Sequence, residues 1–367
     1  MSHSTVLRAA FVAMIFAVQS LDAASTVVAE GLHAPIRVTR LTGDTALVAE
    51  GGLEANAGRL TVLSHASGGW TARPLLTGLP SGFDAGDQAF FGPTDVEPQG
   101  NVLFVLIGIG DSRLGEPGTH ASPILSSVLE VVFSRSVAAL RGTFALTRAD
   151  HDILAAGGQV LLRSGSEQAR VRLLADVPDV IVRDGVELRS TPYDLERVAR
   201  TLYITDSARI NLLAIDACLG TQRVVLSFGA LPSGDEAVPT GMEAIGGQLL
   251  VALEGGFGSV NGSQIQLVNL RSGTELPVLT GINHALDVEV SNGAVHVIEL
   301  STDLASYAPG RLLRIDGPQD WTVITDDLFF PSSFTYLPSV GGWLVTQPFF
   351  GNVVLVEEGP VAPSAAN

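Results

Sequence analysis

Seven carboxylates recur at two positions of a sequence unit that repeats along the chain. Three of them, Asp95, Asp194 and Asp287, stand near the start of a short apolar stretch; the other four end the apolar stretch that follows it, and they are Glu50, Asp206, Glu254 and Glu299. If the two stretches pair as a β-hairpin, the start of the first lies beside the end of the second. Carboxylates gathered in this way bind a hard cation through oxygen, with Ca²⁺ as the best candidate, or have raised pKa values that suit acid–base chemistry.

Three further polar residues are expected at the same opening. Arg37 takes the place of the aspartates in the first copy, Asp111 ends the polar loop that stands where another copy has its closing acid, and His284 directly precedes a copy. We assign ligand binding to Arg37, Asp95, Asp111, Asp287 and His284, and metal binding to Glu50, Asp194, Asp206, Glu254 and Glu299. No catalytic residue is assigned.

A structural interpretation competes with this one at every position. An aspartate after a strand often caps the next turn, and a glutamate at a strand end is often only solvated. The distance from the opening residue of a copy to its closing acid also alternates between 14 and 15 residues, as in Pro192 to Asp206 and Pro239 to Glu254. A shift of one residue turns a side chain to the other face of a sheet, so some of the four closing acids are expected to point between sheets.

A second run of acids lies two residues further along the first stretch of four copies: Glu97, Glu196, Glu243 and Glu289. A glutamate repeated at one position can bond the backbone of the neighbouring sheet, which would make it structural. If these side chains face the axis instead, they extend an anionic pore.

The unit that positions these residues is a hairpin, best seen in Val238 to Glu254 with the turn Gly246-Gly247. Copies open at Pro35, Pro93, Pro192, Pro239, Ala285 and Pro331, and the last three steps are 46 or 47 residues, the period of a four-stranded propeller blade. The last copy lacks a fourth strand, and the segment after residue 24 resembles one. The sequence therefore predicts an all-β, six-bladed β-propeller whose last blade is closed by an N-terminal strand.

The repeat also sets the expected domain limits. Residues 25–359 form one propeller, with residues 360–367 as a tail. The 99-residue step between Pro93 and Pro192 could hide a seventh blade. Residues 140–190 contain no second copy of the hairpin, so we predict an insertion over about 134–190, with a short helix within 144–156.

Composition bounds the location and the partners. Residues 1–24 have the charge, apolar core and small residues of a secretory signal peptide, so we expect a secreted or periplasmic protein without membrane contact once that segment is removed. An uncleaved anchor is the alternative. The net charge of −17 argues against nucleic acid as a partner and favours a cation or a small polar molecule; a protein partner stays open.

Several motifs resemble those of the ScyD/ScyE family of exported propeller proteins, encoded beside genes for the pigment scytonemin. They are Thr191-Pro-Tyr-Asp-Leu, Val238-Pro-Thr-Gly-Met and Asn283-His-Ala-Leu-Asp-Val-Glu-Val, with Leu202-Tyr-Ile-Thr-Asp-Ser-Ala and Gly293-Ala-Val-His-Val-Ile-Glu-Leu. Six-bladed propellers of the NHL and SMP-30/gluconolactonase types share parts of these motifs. The chain departs from the family at Arg37 and Asp194, where glycine is usual. The resemblance implies fold and export, and it does not imply an activity.

Two functions are expected from these features. The first is a binding or scaffold propeller whose acidic opening takes a divalent cation or a small polar ligand, since a fold alone says little about function. The alternative is a Ca²⁺-dependent hydrolase of the lactonase or gluconolactonase type, in which Ca²⁺ held by Glu50, Asp194, Asp206 or Glu254 would polarise a ring carbonyl. A quinone-dependent sugar dehydrogenase is a third and weaker possibility.

Overall fold

The six predicted copies fold into six antiparallel sheets arranged around one axis. The computed structural model describes residues 25–84, 89–108, 122–177, 180–183, 186–256 and 260–357. In each sheet the strand of the opening residue is at one edge, and the following strands pair with it in sequence order. These first strands contact one another in a closed cycle from blade 1 to blade 6 and back to blade 1, so they are the innermost. The predicted six-bladed β-propeller is confirmed.

In each blade, four strands follow one another from the axis outward. Blade 1 contains Pro35–Arg40, Thr45–Glu50, Gly58–Ala66 and Gly69–Leu79; blade 2 contains Pro93–Gln99, Val102–Ile107, Ser127–Phe133 and Glu167–Asp176; blade 3 contains Pro192–Val198, Thr201–Asp206, Asn211–Asp216 and Gln222–Ser227. Blade 4 contains Pro239–Ile245, Gln248–Leu253, Ser263–Asn269 and Thr274–Ile282; blade 5 contains Ala285–Ser291, Ala294–Glu299, Gly310–Gly317 and Asp320–Leu328; blade 6 contains Ser333–Leu337, Gly342–Gln347, Asn352–Glu357 and Ser25–Ala29.

Blade 6 is completed by the N-terminal strand, as the sequence predicts. Ser25–Ala29 pairs antiparallel with Asn352–Glu357, with Thr26 opposite Leu355 and Val27 opposite Val354. The pairing covers an edge that would otherwise expose unpaired N–H and C=O groups. Ring closure therefore depends on a strand that lies more than three hundred residues from its partner in sequence.

Residues 134–177 enlarge the outer side of blades 1 and 2. Gln159–Ser164 adds a fifth strand to blade 2, and Phe144–Ala145 runs parallel to the outermost strand of blade 1. The helix predicted within 144–156 forms over Arg148–Ala155, because Thr147 caps its N-terminus and Asp150 completes a capping box. The blade 2 strand Glu167–Asp176 also lies inside the stretch that the sequence predicts as an insertion.

The remaining described elements are short. Two small hairpins pair Gly82–Asp84 with Ala89–Phe91 and Val180–Arg183 with Val186–Arg189, and 3₁₀ turns form at Val137–Ala139 and Leu304–Ser306. The Gly246-Gly247 turn has φ of +56° and +82°, a conformation that two glycines adopt without steric cost. Within the described ranges, no helix is both long and apolar enough to cross a bilayer.

The core consists of apolar layers between neighbouring sheets. Between blades 5 and 6, for example, Trp343 is fully buried and packs at 5.3 Å, centroid to centroid, from Phe334. Aliphatic and aromatic side chains that alternate with inward-facing polar ones fill these layers, which is the packing that pleated strands allow. The polar residues described below are held at the axis by this arrangement.

Removal of the closing strand tests the closure. A chain that begins at Gly31 should melt at least about 5 °C below one that begins at Ser25, because it loses four ladder pairs worth about 1 kcal/mol each. It should also associate through the newly exposed edge of Asn352–Glu357. Calorimetry and size-exclusion chromatography measure the two effects. A chain that ends at Glu357 is the control, and equal melting of the two truncated chains would contradict the closure.

Candidate functional site: the polar axis of the propeller

One arginine and three aspartates meet at the axis. The Arg37 guanidinium places Nη1 at 2.7 Å from Asp287 Oδ2, Nη2 at 2.7 Å from Asp194 Oδ2, and Nε at 3.4 Å from Asp95 Oδ1. All four side chains are at most 7% exposed. They come from blades 1, 2, 3 and 5, so residues far apart in sequence form one buried ion cluster.

All four occupy the second position after the opening residue of their blade, which we call the axial position. In these blades the pairing register shifts by one residue just before it: Pro192 lies opposite Asp206, whereas Asp194 lies opposite Thr205. The extra residue is a β-bulge, which bends the strand and re-aims the side chain that follows. The bulge therefore directs the axial side chain toward the axis.

The axial carboxylates also accept hydrogen bonds from the next blade. Asp95 Oδ2 accepts from the Leu195 N–H at 2.8 Å, and Asp194 Oδ2 accepts from the Met242 N–H at 2.5 Å. In both cases the donor follows directly after the axial position of the next blade. We call this contact the blade latch.

The same latch recurs elsewhere in the ring. Asp287 Oδ2 accepts from the Phe334 N–H at 3.4 Å, and in blade 6 the Ser333 hydroxyl accepts from the Val38 N–H at 3.3 Å. Four of the six blade junctions thus use one geometry, with an oxygen of the axial residue as acceptor.

The other two junctions follow blades whose axial residue lacks an acceptor, Arg37 and Gly241. There the next blade supplies its own acceptor: Asp95 Oδ1 accepts from the Val96 N–H at 2.7 Å, and Asp287 Oδ1 accepts from the Val288 N–H at 3.0 Å. Each of the six N–H groups that directly follow an axial position therefore has an acceptor, and Asp95 and Asp287 each accept from two of them.

Electrostatics at the cluster favours a retained proton. Burial raises the pKa of Asp194 well above its usual range, and Asp95 adds to the rise while Arg37 opposes it. Burial likewise raises the pKa of Asp287, again against the effect of Arg37. Three carboxylates face one guanidinium, so full ionisation would leave net negative charge in a buried site, which is costly.

Tyr193 covers the Arg37 guanidinium. Arg37 Cζ lies 5.9 Å from the centre of the Tyr193 ring, within range of a cation–π interaction. Burial raises the pKa of Tyr193, so its hydroxyl stays neutral. Tyr193 is the bulged residue of blade 3, placed one position before the axial Asp194.

A cavity of about 290 Å³ extends from Arg37 along the first strands toward the turns that join first and second strands. Its acidic lining consists of the axial aspartates at the Arg37 end and, further along, the second run of acids, Glu97, Glu196, Glu243 and Glu289. Arg40 also lines it. The sequence left open whether these glutamates are structural or face a pore. They face the cavity, and Glu289 Oε1 also accepts from the Tyr336 N–H of the next blade at 3.2 Å.

The cavity glutamates have raised pKa values. Burial raises the pKa of Glu97 and of Glu243 to about 8, and nearby acids add to both shifts. Burial raises the pKa of Glu289 to about 7, and that of Glu196 moves in the same direction. At neutral pH several of these side chains therefore keep a proton unless a cation enters.

The closing acids are placed differently. Glu50 accepts from the His33 N–H at 2.6 Å and pairs with Arg59, and Glu299 accepts from the Asn283 N–H at 2.7 Å and pairs with Arg311. Each contact joins the end of a second strand to the segment that enters the same blade. Glu50 and Glu299 lie opposite the opening residues of their blades, whereas the axial residues lie opposite the preceding residue of the second strand. Successive side chains of a strand alternate between the two faces, so Glu50 and Glu299 lie on the face away from the axial residue.

Asp206 is held in the same way by Ser190 and by the Thr191 N–H at 3.0 Å. Glu254 differs, because its Oε1 lies 3.6 Å from Nδ1 of the buried His284. The structure therefore gathers Arg37, Asp95, Asp194 and Asp287 and leaves Glu50, Asp206 and Glu299 within their own blades. Asp111 lies outside the described residues.

Metal and ligand binding by these residues stay predictions. Within the part of the chain that the structure describes, no group of three or more His, Cys, Asp or Glu side chains has an arrangement that would hold a metal. The sequence did not reveal that Arg37 is the centre of the cluster or that the axial acids bond the next blade. The repeated aspartate two residues after each opening residue was the available signal, but its partner lies in another copy.

Comparison with known proteins adds similarity of fold only. No protein-family model matches the chain, and no curated protein does. Among solved structures, the WD40 β-propeller domain of Doa1 is similar, with 12% identity, a TM-score of 0.43 and coverage of 90% of this chain and 96% of that one. The nidogen/laminin complex is also similar, with 11% identity, a TM-score of 0.44 and coverage of 84% of this chain and 91% of that one. The computationally designed Ika8 protein has 9% identity, a TM-score of 0.42 and coverage of 90% of this chain and 98% of that one.

Loss of the central cation should destabilise the ring in a pH-dependent way. Arg37→Met leaves three buried carboxylates without their counter-charge, which should lower the free energy of unfolding by about 3 to 5 kcal/mol at pH 8. The deficit should shrink at pH 5, where Asp194 and Asp287 take up protons. Urea unfolding at both pH values measures it. The exposed Arg271→Met, on an outer turn of blade 4, is the control, and an equal deficit at both pH values would contradict the cluster.

Gly241 tests how closely the residues at the axial positions pack. A Cβ at this axial position would lie 2.6 Å from the Cα of Asp287, so the missing sixth side chain cannot be accommodated. Gly241→Ala should cost about 1 to 3 kcal/mol, as overpacked cores do. Gly229→Ala, where a Cβ meets no atom within 4 Å, is the matched control. Equal unfolding midpoints in urea for the two variants would mean that the axial residues are not closely packed.

Proposed function

We propose that this chain is an exported binding propeller whose acidic channel takes a small cation, either a hydrated divalent ion such as Ca²⁺ or a small organic amine. The observation that supports this most is the cavity beyond Arg37, whose four glutamates all have raised pKa values, about 8 for Glu97 and Glu243 and about 7 for Glu289. Its volume of about 290 Å³ is far larger than that of a bare ion and suits a hydrated ion or a ligand of a few heavy atoms.

The energetics of these glutamates explain why a cation would bind. A carboxyl whose pKa is about 8 in the folded state and about 4.5 in the unfolded state makes folding less favourable as pH rises from 4.5 to 8. A bound cation stabilises the ionised form and offsets that cost. Binding should therefore release protons and tighten as the pH rises.

Export and family membership are parts of the same proposal. The charge, apolar core and small residues of residues 1–24 are the sequence argument for a signal peptide. The ScyD/ScyE resemblance of the motifs around Pro192, Pro239 and Ala285 is the sequence argument for that family. A binding or scaffold role is compatible with the β-propeller fold.

No observation favours the lactonase alternative over binding. Its metal ligands would come from Glu50, Asp194, Asp206 and Glu254. Glu50 and Asp206 are bonded to the backbone of their own blades, and Asp194 is paired with Arg37. We therefore base the proposal on the channel glutamates.

The test is a melting-temperature series with two dications, CaCl₂ and 1,4-diaminobutane, at pH 6.0 and 8.5, with NaCl of equal ionic strength as reference. At least one dication should raise the melting temperature, and by more at pH 8.5, because Glu97 and Glu243 are protonated at pH 6.0. The double variant Glu97→Gln, Glu243→Gln should lose the effect.

The exposed pair Glu54→Gln, Glu357→Gln makes the same charge change away from the cavity and should keep the effect. Two results would contradict the proposal: no shift with either dication at pH 8.5, or a shift that persists in the Glu97, Glu243 variant.

A further inference from the structure

A continuous row of aromatic rings lies on the face where the second strands end and the first strands begin. Tyr307 is 6.2 Å from Phe330 between ring centres, Phe330 is 5.7 Å from Phe349, and Phe349 is 5.3 Å from Phe90. Phe83 extends the row beyond Phe90 at 5.1 Å, and Phe350 stacks on Phe329 at 4.5 Å. These seven residues come from blades 5 and 6 and from the hairpin that follows blade 1; we call them the aromatic row.

Part of the row is open to solvent. Tyr307 is 49% exposed, Phe349 37% and Phe350 39%, and Leu53 beside the Phe83 end is 61% exposed. Single exposed apolar residues are common on protein surfaces, whereas connected ones mark contact sites. The rings touch across blades 5 and 6 and the hairpin that follows blade 1, so they form a connected apolar surface of the kind that marks a contact site.

Two of the rings are held on strained backbone. Tyr307 has φ of +56° and Phe330 has φ of +43°, in the left-handed region that bulky residues rarely adopt. Such conformations cost about 1 to 3 kcal/mol. The positive φ of Phe330 recurs at Ala34 and His284, which also directly precede the opening residue of a blade, so it belongs to the blade entry. The packing of the row holds both rings in place at that cost.

Charge around the row is of one sign. The segments that supply or flank it, residues 51–57, 80–92, 300–309, 329–332 and 348–351, contain four acids, Glu54, Asp84, Asp87 and Asp303, and no lysine or arginine. Glu54 and Asp303 are exposed, Glu54 beside Phe83 and Asp303 at the turn that ends in Tyr307. A further exposed acid, Glu30, lies near the Phe350 end of the row. It is two residues before Leu32, and the Leu32 N–H donates to the carbonyl of Gly351, the residue after Phe350. A partner that suits the row therefore brings positive charge with its apolar groups.

The row is separate from the channel cavity. The cavity extends from Arg37 toward the turns between first and second strands, at the other end of the blades, and Arg37 with Tyr193 lies between the two. Ser25 and Val356, at the two ends of the described chain, pair near the cavity end as well. The row can thus be occupied independently of a cation in the cavity.

We propose that the aromatic row binds a segment of a partner protein in which aromatic or aliphatic side chains alternate with arginine or lysine. The apolar side chains of the segment would pack on Phe349, Phe350 and Tyr307. Its cationic groups would stack on ring faces and pair with Glu54 and Asp303, interactions that gain strength when water is excluded.

The probe is a fluorescein-labelled hexapeptide of alternating arginine and phenylalanine, with binding followed by fluorescence anisotropy. Two peptides are compared with it: alternating glutamate and phenylalanine, and alternating arginine and serine. We expect each to bind at least tenfold more weakly. Equal binding by the arginine–serine peptide would mean that the net negative charge of the chain alone attracts the peptide. Equal binding by the glutamate–phenylalanine peptide would mean that positive charge is not needed. Either result overturns the proposal.

The site is located by variants. Phe349→Ser with Phe350→Ser should weaken binding of the arginine–phenylalanine peptide at least tenfold, whereas Leu161→Ser with Val323→Ser, two exposed outer-strand residues, should not. If the first variant fails to fold, Glu54→Lys with Asp303→Lys is used instead. This charge reversal should also weaken binding of the arginine–phenylalanine peptide. Unchanged affinity in the folded row variant overturns the proposal.

A last variant separates this site from the channel. Glu97→Gln with Glu243→Gln should retain peptide binding, because both residues line the cavity. Loss of binding in that variant would place the arginine side chains in the channel and overturn the aromatic row as the site, whatever the outcome for dications.

Discussion

The first strand of every blade has one edge that faces the axis, and the N–H groups on that edge have no further strand to pair with. Buried N–H groups need acceptors, because an unpaired one costs as much as a lost hydrogen bond. The axial residues provide them: Asp95, Asp194, Asp287 and Ser333 each accept from the next blade. The hydroxyls of Thr94, Thr240 and Ser332 act in the opposite sense, donating to carbonyls of the next blade. The ring is thus joined at its centre by side-chain contacts between blades.

Acceptors with a negative charge create a second requirement, which Arg37 meets. Three buried aspartates at one level of the channel would repel one another, and one guanidinium that contacts all three offsets most of that repulsion. Arginine suits this place because its planar group presents several donors at fixed angles. The cluster also separates the two ends of the channel, so that the cavity glutamates and the aromatic row lie on different sides of it.

Sequence alone predicted the architecture well, because its signals are local and repeated. The hairpin with its Gly246-Gly247 turn, the spacing of 46 or 47 residues and the missing last strand together indicate six blades closed by Ser25–Ala29. The arrangement of the acids was harder to predict. A bulge of one residue decides that Asp194 faces the axis while Asp206 turns to its own blade, and such a bulge has no clear sequence signature. The contact of Asp95 with Leu195 joins residues of different copies, which spacing within a copy cannot reveal.

Amide hydrogen exchange tests the central claim most directly. The N–H groups of Leu195 and Met242 face the axis and have Asp95 and Asp194 as acceptors from the preceding blade. Both should be as strongly protected as Leu250, a ladder amide of blade 4, and should lose that protection together when Asp95 and Asp194 are replaced by alanine. Exchange of Leu195 and Met242 at the rate of exposed turn amides in the unaltered protein would contradict the account.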